Sequence, residues 1–132
     1  MTNEPGLRVL VVEDEDLLRW VAKEVLTLSG HRVTEAPDGA SALRALRTGE
    51  AFDVALLDYR LPDSDGLQLL KEIRRQHPTT AAIMMTAQAE PDLAAEAARL
   101  GAYRLIDKPF DIHELETLVR EASHSHTVSH VA

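Results

Sequence analysis

Residues 8–30 read RVLVVEDEDLLRWVAKEVLTLSG and contain one complete strand–helix unit. The run Arg8–Val12 is continuously aliphatic after its first residue, which predicts a parallel strand buried on both faces. Gly30 lies where a helix C-terminal stop is expected. Between them, leucine and valine recur at helical spacing and predict an amphipathic helix with a buried face of Leu17, Leu18, Val21, Val25 and Leu28.

The same alternation of strand and helix occurs five times along the chain. Further strands are predicted at residues 32–36, 53–57, 81–85 and 103–106. Asp38 and Asp111 are placed to cap the second and fifth helices, and Pro91 suits the first turn of the fourth. Strict alternation with short loops indicates a parallel sheet covered by helices on both faces. We expect a single doubly wound α/β domain with the flavodoxin-like strand order 2-1-3-4-5.

The composition is typical of one acidic, soluble domain. The chain has 132 residues, is 45% apolar and carries a net charge of −8. This charge argues against direct nucleic acid binding by the domain, because phosphate contacts need a basic surface. The absence of cysteine excludes a disulfide scaffold, a thiolate metal site and a cysteine nucleophile. No apolar run approaches the roughly 20 residues of a membrane span, so we expect a cytoplasmic protein without membrane contact.

The folded domain is expected at residues 7–122. Residues 1–6 are predicted to be an N-terminal extension. The last ten positions, residues 123–132, have little apolar content and carry histidines at His124, His126 and His130. Alternating histidines can bind a metal, but the favoured interpretation of this segment is a flexible tail.

Polar side chains follow the predicted strands at one edge of the sheet. In open parallel sheets, sites form beyond the carboxyl ends of the strands where the strand order reverses, here between the first and third strands. The residues just past the strand ends are Glu13, Asp14, Asp58, Thr86 and Lys108. Three carboxylates, one hydroxyl and one ammonium are therefore expected to meet at this edge.

Charge arithmetic indicates what such a cluster would hold. Like charges within a few Å raise one another's pKa, and one lysine offsets only one of three carboxylates. Oxygen ligands without a thiolate favour Mg²⁺ or Mn²⁺. A carboxylate beside such a cation can attack a phosphoryl group while the cation and Lys108 neutralise the transferred charge. Asp58 is the preferred nucleophile because it ends a central strand, although spacing alone leaves Glu13 and Asp14 open.

Several short motifs together resemble the receiver domain of response regulators in two-component signalling. They are VVED, LDYRLP, DG, MTA and DKPF, at residues 11–14, 57–62, 65–66, 85–87 and 107–110. The resemblance covers about residues 7–122, and the helices are similar to those of receivers of the nitrogen-regulation and chemotaxis type.

This resemblance implies a phosphorylation switch and no separate enzyme activity. Asp58 would accept phosphate from a sensor histidine kinase, a histidine phosphotransfer protein or a small acyl phosphate. Asp14, Asp58 and the backbone carbonyl of Arg60 would bind Mg²⁺, with Glu13 acting through metal-bound water. Glu13 stands where aspartate is more usual, and its longer side chain is still an oxygen donor.

The resemblance also implies roles on the neighbouring strands. Lys108 would pair with a phosphoryl oxygen, Thr86 would move to hydrogen-bond it, and the peptide bond from Lys108 to Pro109 would be cis. Arg60 and Gln88 would set the lifetime of the phosphoryl group. The fourth helix, fifth strand and fifth helix would form the readout and possible homodimer surface. On the first helix, Arg19 and Trp20 fall on a common kinase-docking face.

One position departs from the family pattern. Leu105 stands where many receivers carry the aromatic side chain of a rotamer switch. Tyr103 lies two residues earlier and, by period-two alternation, is expected on the same face of the strand. Two routes for the signal therefore stay open: an imperfect substitution by Tyr103, or a backbone shift in the fourth helix and its leading loop.

Functions of other classes fit less well. A haloacid-dehalogenase-type phosphatase needs a second aspartate two residues after the nucleophile, where this chain has Arg60. A flavin or dinucleotide module needs a phosphate-binding loop after the first strand, where the acidic residues 13–16 would repel phosphate. A pseudo-receiver that works without phosphorylation usually lacks some of the residues retained here. The kinase, the output, the pathway and the oligomeric state are not determined by the sequence.

Overall fold

The computed structural model describes residues 6–49, 51–88 and 90–131. Within these residues five strands alternate with five α-helices. Their bounds are β1 (Arg8–Val12), α1 (Asp16–Leu28), β2 (Arg32–Ala36), α2 (Gly39–Arg47), β3 (Val54–Asp58), α3 (Gly66–Gln76), β4 (Ala81–Thr86), α4 (Pro91–Arg99), β5 (Arg104–Asp107) and α5 (Leu115–Val131). A short 3₁₀ turn, Ile112–Glu114, leads into α5. No helix in the described ranges is long and apolar enough to cross a membrane.

All strand pairs are parallel, and the order β2-β1-β3-β4-β5 confirms the predicted doubly wound fold. Val12, at the end of β1, lies opposite Ala36 of β2 and Leu57 of β3. The strand order reverses between β1 and β3, so the loops that follow these two strands diverge there. This register brings the loops after β1 and β3 to the same edge of the sheet.

The sheet separates two apolar clusters. Helices α2, α3 and α4 cover one face, which we call the α2–α4 face, with Leu46, Leu70, Ile73 and Ala97 among its buried side chains. Helices α1 and α5 cover the opposite face, the α1/α5 face, with a buried set that includes Ala22, Leu26, Leu115 and Val119. Strands β1, β3 and β4 are buried on both faces, as expected for central strands of a parallel sheet.

The predicted buried face of α1 is wrong at both ends of the helix. Ala22 and Leu26 are buried, whereas Leu17 and Leu28 are 67% and 86% exposed. At about 100° per residue, Leu17 and Leu28 lie more than about 110° around the helix from Ala22. The helix therefore rests on a narrower stripe than its leucines and valines suggest.

The predicted starts of α2 and α4 are confirmed, whereas Asp111 caps the 3₁₀ turn that precedes α5 and not α5 itself. The carboxylate of Asp38 accepts a hydrogen bond from the N–H of Ser41 at 2.7 Å, and Asp111 accepts one from the N–H of His113 at 2.9 Å. Pro91 is the first residue of α4. These caps satisfy backbone donors that have no partner inside the helix.

The C-terminal helix extends past residue 122, where the predicted tail begins. Helix α5 continues to Val131, past residue 122, because residues 123–131 contain neither glycine nor proline to stop it. The hydroxyl of Ser125 donates to the carbonyl of Ala122 at 2.8 Å. The predicted tail is thus helical where it is described. The side chains of His126 and His130, and most of the predicted N-terminal extension (residues 1–5), lie outside the described part of the chain.

His31 is buried between β2 and the C-terminal helix. The N–H of Leu7 donates to His31 Nδ1 at 2.9 Å, so Nε2 carries the proton of the neutral ring. Nε2 donates to Glu116 Oε2 at 2.6 Å, and Arg120 Nε lies 2.7 Å from the same oxygen. One imidazole therefore joins the starts of β1 and β2 to α5.

We predict that His31→Ala lowers the free energy of unfolding by about 2 kcal/mol, because it leaves the N–H of Leu7 without its acceptor. Urea unfolding followed by circular dichroism measures this change. His113→Ala, at an exposed position before α5, is the control and should stay within about 0.5 kcal/mol of the wild type. Equal stability of the two variants would contradict the linking role of His31.

Candidate functional site

Three carboxylates meet where β1 and β3 end. One oxygen each from Glu13, Asp14 and Asp58 lie within 4.8 Å of one another. Glu13 and Asp58 are buried, whereas Asp14 is exposed. The sheet ladder extends one step past β1, since the N–H of Glu13 donates to the carbonyl of Ala36 at 3.0 Å. We call these three residues and Lys108 the acidic cup.

Lys108 reaches into the acidic cup from the end of β5. Its Nζ lies 2.7 Å from Glu13 Oε1 and 3.1 Å from Asp58 Oδ1. Its backbone N–H donates to the carbonyl of Thr86 at 2.7 Å, and its peptide bond to Pro109 is cis, as predicted. A single ammonium therefore bridges two buried carboxylates that start from different strands.

The electrostatics of the acidic cup follow from burial. Burial raises the pKa of Asp58 to about 6, the nearby charge of Glu13 adds to this rise, and Lys108 partly opposes it. Burial works against the charged form of Lys108, yet the carboxylates of Glu13 and Asp58 hold its pKa above the usual range. The cup thus contains more negative charge than one lysine can balance.

The residues present fit a hard divalent cation. All the donors are oxygens, and three ionised carboxylates beside one ammonium leave a formal charge of −2. Both oxygens of Glu13 have protein partners, Lys108 and the N–H of Glu15 at 3.0 Å. The side chain of Asp14 makes no hydrogen bond or ion pair with the described part of the chain. Asp14 thus has no competing protein partner in that part of the chain, whereas each oxygen of Glu13 already contacts a protein donor.

The loop after Asp58 is closed at its base. Arg60 and Asp65 form an isolated antiparallel bridge, and the N–H of Gly66 donates to the carbonyl of Tyr59 at 2.7 Å. A Cβ at Gly66 would lie 2.6 Å from the carbonyl oxygen of Asp58. Only glycine fits this close approach, which closes the loop that carries Arg60.

The tip of the same loop is tied to α2 by Asp63, a residue that the sequence analysis missed. Its two carboxylate oxygens accept hydrogen bonds from the N–H groups of Gly39 at 2.8 Å and Ala40 at 3.0 Å. These N–H groups lie in the first turn of α2, where backbone donors have no carbonyl acceptor within the helix. Sequence patterns point to local caps such as Asp38, and a cap supplied from residues 24 positions away leaves no such pattern.

Thr86, Arg60 and Gln88 lie together beside the cup. They line a cavity of about 180 Å³ with Tyr59, Ala87, Glu90 and Leu93. The hydroxyl of Thr86 contacts both the N–H and the carbonyl of Gln88 at 3.3 Å. The guanidinium of Arg60 lies over the ring of Tyr59, 5.9 Å from its centre.

The expectation for Tyr103 is wrong. Leu105 packs on the α2–α4 face, whereas Tyr103 packs on the α1/α5 face. Strand β5 begins at Arg104, so Tyr103 lies in the preceding turn and does not follow the alternation of the strand. Leu105 lies opposite Met84 of β4. Tyr103 therefore cannot replace the missing aromatic at position 105 from the same side of the sheet.

Comparisons with known proteins identify the family of the chain. The family model of the response regulator receiver domain matches residues 9–120. Sporulation initiation phosphotransferase F of Bacillus subtilis is 35% identical over 121 residues, which cover 92% of this chain and 94% of that protein. The DNA-binding transcriptional regulator NtrC of Escherichia coli is 42% identical over 114 residues, 86% of this chain. These residues are 24% of NtrC, so the chain spans about a quarter of that relative.

Solved structures of receiver proteins also resemble this chain. A CheY-like response regulator receiver domain protein of Methanospirillum hungatei has a TM-score of 0.88 at 27% identity, covering 94% of this chain and 98% of that one. NtrX of Brucella abortus has a TM-score of 0.85 at 34% identity, covering 95% of this chain and 28% of that one.

The raised pKa of Asp58 predicts a pH-dependent stability. Between its ordinary value of 3.8 and about 6, the folded chain binds this proton and the unfolded chain does not. The contribution of Asp58 to the free energy of unfolding therefore falls as the pH rises through this window. In chelator at about pH 7.5, we expect Asp58→Asn to be more stable than the wild type by about 2 kcal/mol, and by less than half of that at about pH 4.5.

Urea unfolding at both pH values measures the effect. Asp38→Asn is a control of opposite sign, because the hydrogen bond to Ser41 lowers the pKa of Asp38, and its removal should destabilise the chain at neutral pH. An Asp58→Asn variant that is less stable than the wild type at neutral pH would contradict the electrostatic interpretation of the cup.

Proposed function

Because the chain belongs to the response regulator receiver domain family, we propose that Asp58 is its phosphoacceptor in a two-component phosphorelay. The donor is the phosphohistidine of a sensor histidine kinase or of a histidine phosphotransfer protein, and a small acyl phosphate can replace it. The observation that supports this most is the acidic cup, in which Asp58 lies against Lys108 at 3.1 Å beside two further carboxylates. The domain acts as a switch in the cytoplasm and has no separate substrate to turn over.

The proposed transfer is an in-line displacement. An oxygen of Asp58 attacks the phosphorus, a P–O bond forms, and the P–N bond to the donor imidazole breaks with its electron pair leaving on nitrogen. Lys108 exchanges part of its contact with Asp58 for a phosphoryl oxygen. The tight loop from Arg60 to Asp65 holds the Asp58 backbone still while the side chain reacts.

The metal expected in this reaction is Mg²⁺ or Mn²⁺. Asp14, Asp58 and the carbonyl of Arg60 would bind it, and Glu13 would act through a water molecule because Lys108 and Glu15 already occupy its oxygens. When bound, the cation offsets negative charge on the transferred group.

The active state is proposed to begin at Thr86. Its hydroxyl contacts the backbone of Gln88 at 3.3 Å and would leave it for a phosphoryl oxygen, which frees the loop before α4. With Leu105 in place of an aromatic, the signal would pass through this loop and α4 and not through a ring rotation. The surface of α4, β5 and α5 would then bind the output partner or a second copy of the chain.

Kinase docking is proposed on α1. Leu17 and Trp20 are exposed there, and Leu17 lines a groove of about 500 Å³ together with Lys108, Pro109 and Phe110. An apolar surface beside the reactive edge suits a partner that must bring its histidine to Asp58.

The output of the whole protein is a separate proposal. NtrC is named a DNA-binding transcriptional regulator, and this chain matches only part of its length. With a net charge of −8, this domain is proposed to regulate a partner and to make no direct nucleic acid contact. No observation favours the dehalogenase-type phosphatase, because Arg60 occupies the place of its general acid.

The decisive experiment is intact mass spectrometry after incubation with acetyl phosphate and Mg²⁺. We expect a gain of about 80 Da, the mass of one phosphoryl group, that is lost in chelator and in Asp58→Ala. Asp53→Ala removes an aspartate just before the opposite end of β3 and should still gain the mass. A wild-type chain that remains unmodified with this donor and with a kinase would instead support the pseudo-receiver.

The position of Arg60 predicts that its side chain lengthens the lifetime of the phosphoryl group on Asp58. Arg60 lines the cavity beside Thr86 and would screen Asp58 from attacking water. We expect Arg60→Ala to speed dephosphorylation about fivefold, which corresponds to about 1 kcal/mol in the barrier. Loss of the added mass over time measures the rate. Arg104→Ala removes a similar arginine over the ring of Tyr103, at 5.2 Å, away from this cavity and should leave the rate unchanged; equal rates in all three proteins would refute the role of Arg60.

A further inference from the structure

The side chain of Arg19 points away from the exposed surface of α1 on which kinase docking is proposed. Its side chain is 16% exposed, whereas that of the next residue, Trp20, is largely in solvent. Its Nη1 donates to the backbone carbonyl of Glu13 at 2.7 Å, and its Nη2 donates to Asp16 at 2.7 Å. Its Nε lies 3.4 Å from Glu35 of β2. Each nitrogen of the guanidinium therefore has its own partner.

The carbonyl that Arg19 binds belongs to Glu13, the residue at which the chain leaves the sheet. The N–H of Glu13 is bound by Ala36, and its carboxylate is bound by Lys108 and the N–H of Glu15. The bond from Arg19 completes this set and fixes the plane of the peptide that joins Glu13 to the next residue, Asp14.

Asp14 depends on this peptide for its position. Its side chain is exposed and makes no hydrogen bond or ion pair with the described residues. We propose that Arg19 is a positioning residue of the acidic cup, which sets where Asp14 presents its carboxylate to Mg²⁺. The inference rests on the proposed function, in which Asp14 is a direct metal ligand.

Two other roles for Arg19 make different predictions. If Arg19 only contributed a positive charge, its removal would strengthen Mg²⁺ binding, because a cation near the site repels the metal. If Arg19 only contacted the kinase, its removal would leave Mg²⁺ binding unchanged. A positioning role alone predicts weaker Mg²⁺ binding when the guanidinium is lost.

The test is calorimetric titration of the unphosphorylated full chain with Mg²⁺. We expect the dissociation constant to rise about tenfold in Arg19→Met, as for other residues that orient a metal ligand, and to rise by a smaller factor in Arg19→Lys. Arg75→Met is the matched control, since Arg75 also pairs with a carboxylate three residues earlier on its helix, Glu72 at 2.9 Å, and has no contact with the cup. Its Mg²⁺ affinity should equal that of the wild type.

A kinetic measurement gives a second readout. With acetyl phosphate as donor, the Mg²⁺ concentration for half-maximal phosphorylation should rise in Arg19→Met, while the rate at saturating Mg²⁺ changes little. Unchanged or tighter Mg²⁺ binding in a folded Arg19→Met would overturn the proposal, as would a loss confined to kinase-dependent transfer.

The outcomes for Arg19 and for the proposed function are distinguishable. If Arg19→Met does not fold, Arg19→Lys, which keeps the charge, decides: wild-type affinity there overturns the proposal and weaker affinity supports it. A wild-type chain that binds Mg²⁺ but is never phosphorylated would overturn the proposed function, while the titration would still decide the role of Arg19.

Discussion

The contact of one ammonium with two buried carboxylates organises this molecule. Lys108 follows β5, whereas Glu13 follows β1, and β3 and β4 lie between these strands in the sheet. The side chains of Lys108 and Glu13 extend toward each other over the strand ends, so that Nζ lies 2.7 Å from Glu13 and 3.1 Å from Asp58. Burial of carboxylates is tolerated because this partner is present, and it leaves an excess of negative charge that a divalent cation can balance.

The acidic cup is held in shape by contacts outside it. Asp63 ties the loop after β3 to the first turn of α2, and Arg19 ties the turn after β1 to Asp16 and Glu35. Each side chain also binds backbone groups: Asp63 accepts from two N–H groups of α2, and Arg19 donates to the carbonyl of Glu13. These bonds fix the direction of the chain from which the reactive side chains leave. In the proposed mechanism, the reactive side chains move while these backbone contacts are kept.

The proposed switch involves Thr86 and the segment that leads into α4. Thr86 is buried at the end of β4 and shares its cavity with the residues that lead into α4. Leu105 packs on the α2–α4 face, and Tyr103 packs on the opposite one. With no aromatic ring at position 105, the proposed route of the signal is the backbone before α4.

The sequence by itself determined the strand–helix order, the sheet order and the convergence of Glu13, Asp14, Asp58, Thr86 and Lys108. These features follow from local periodicity and from the rule that parallel strands end at one edge. Only the tertiary structure decided that His31 is buried, that Leu17 and Leu28 are exposed, and that Tyr103 lies on the other face. It also decided the roles of Asp63 and Arg19 as anchors of the loops. The physical reason is that burial and hydrogen-bond partners depend on which distant elements pack together, and residues far apart in the chain leave no periodic pattern that shows it.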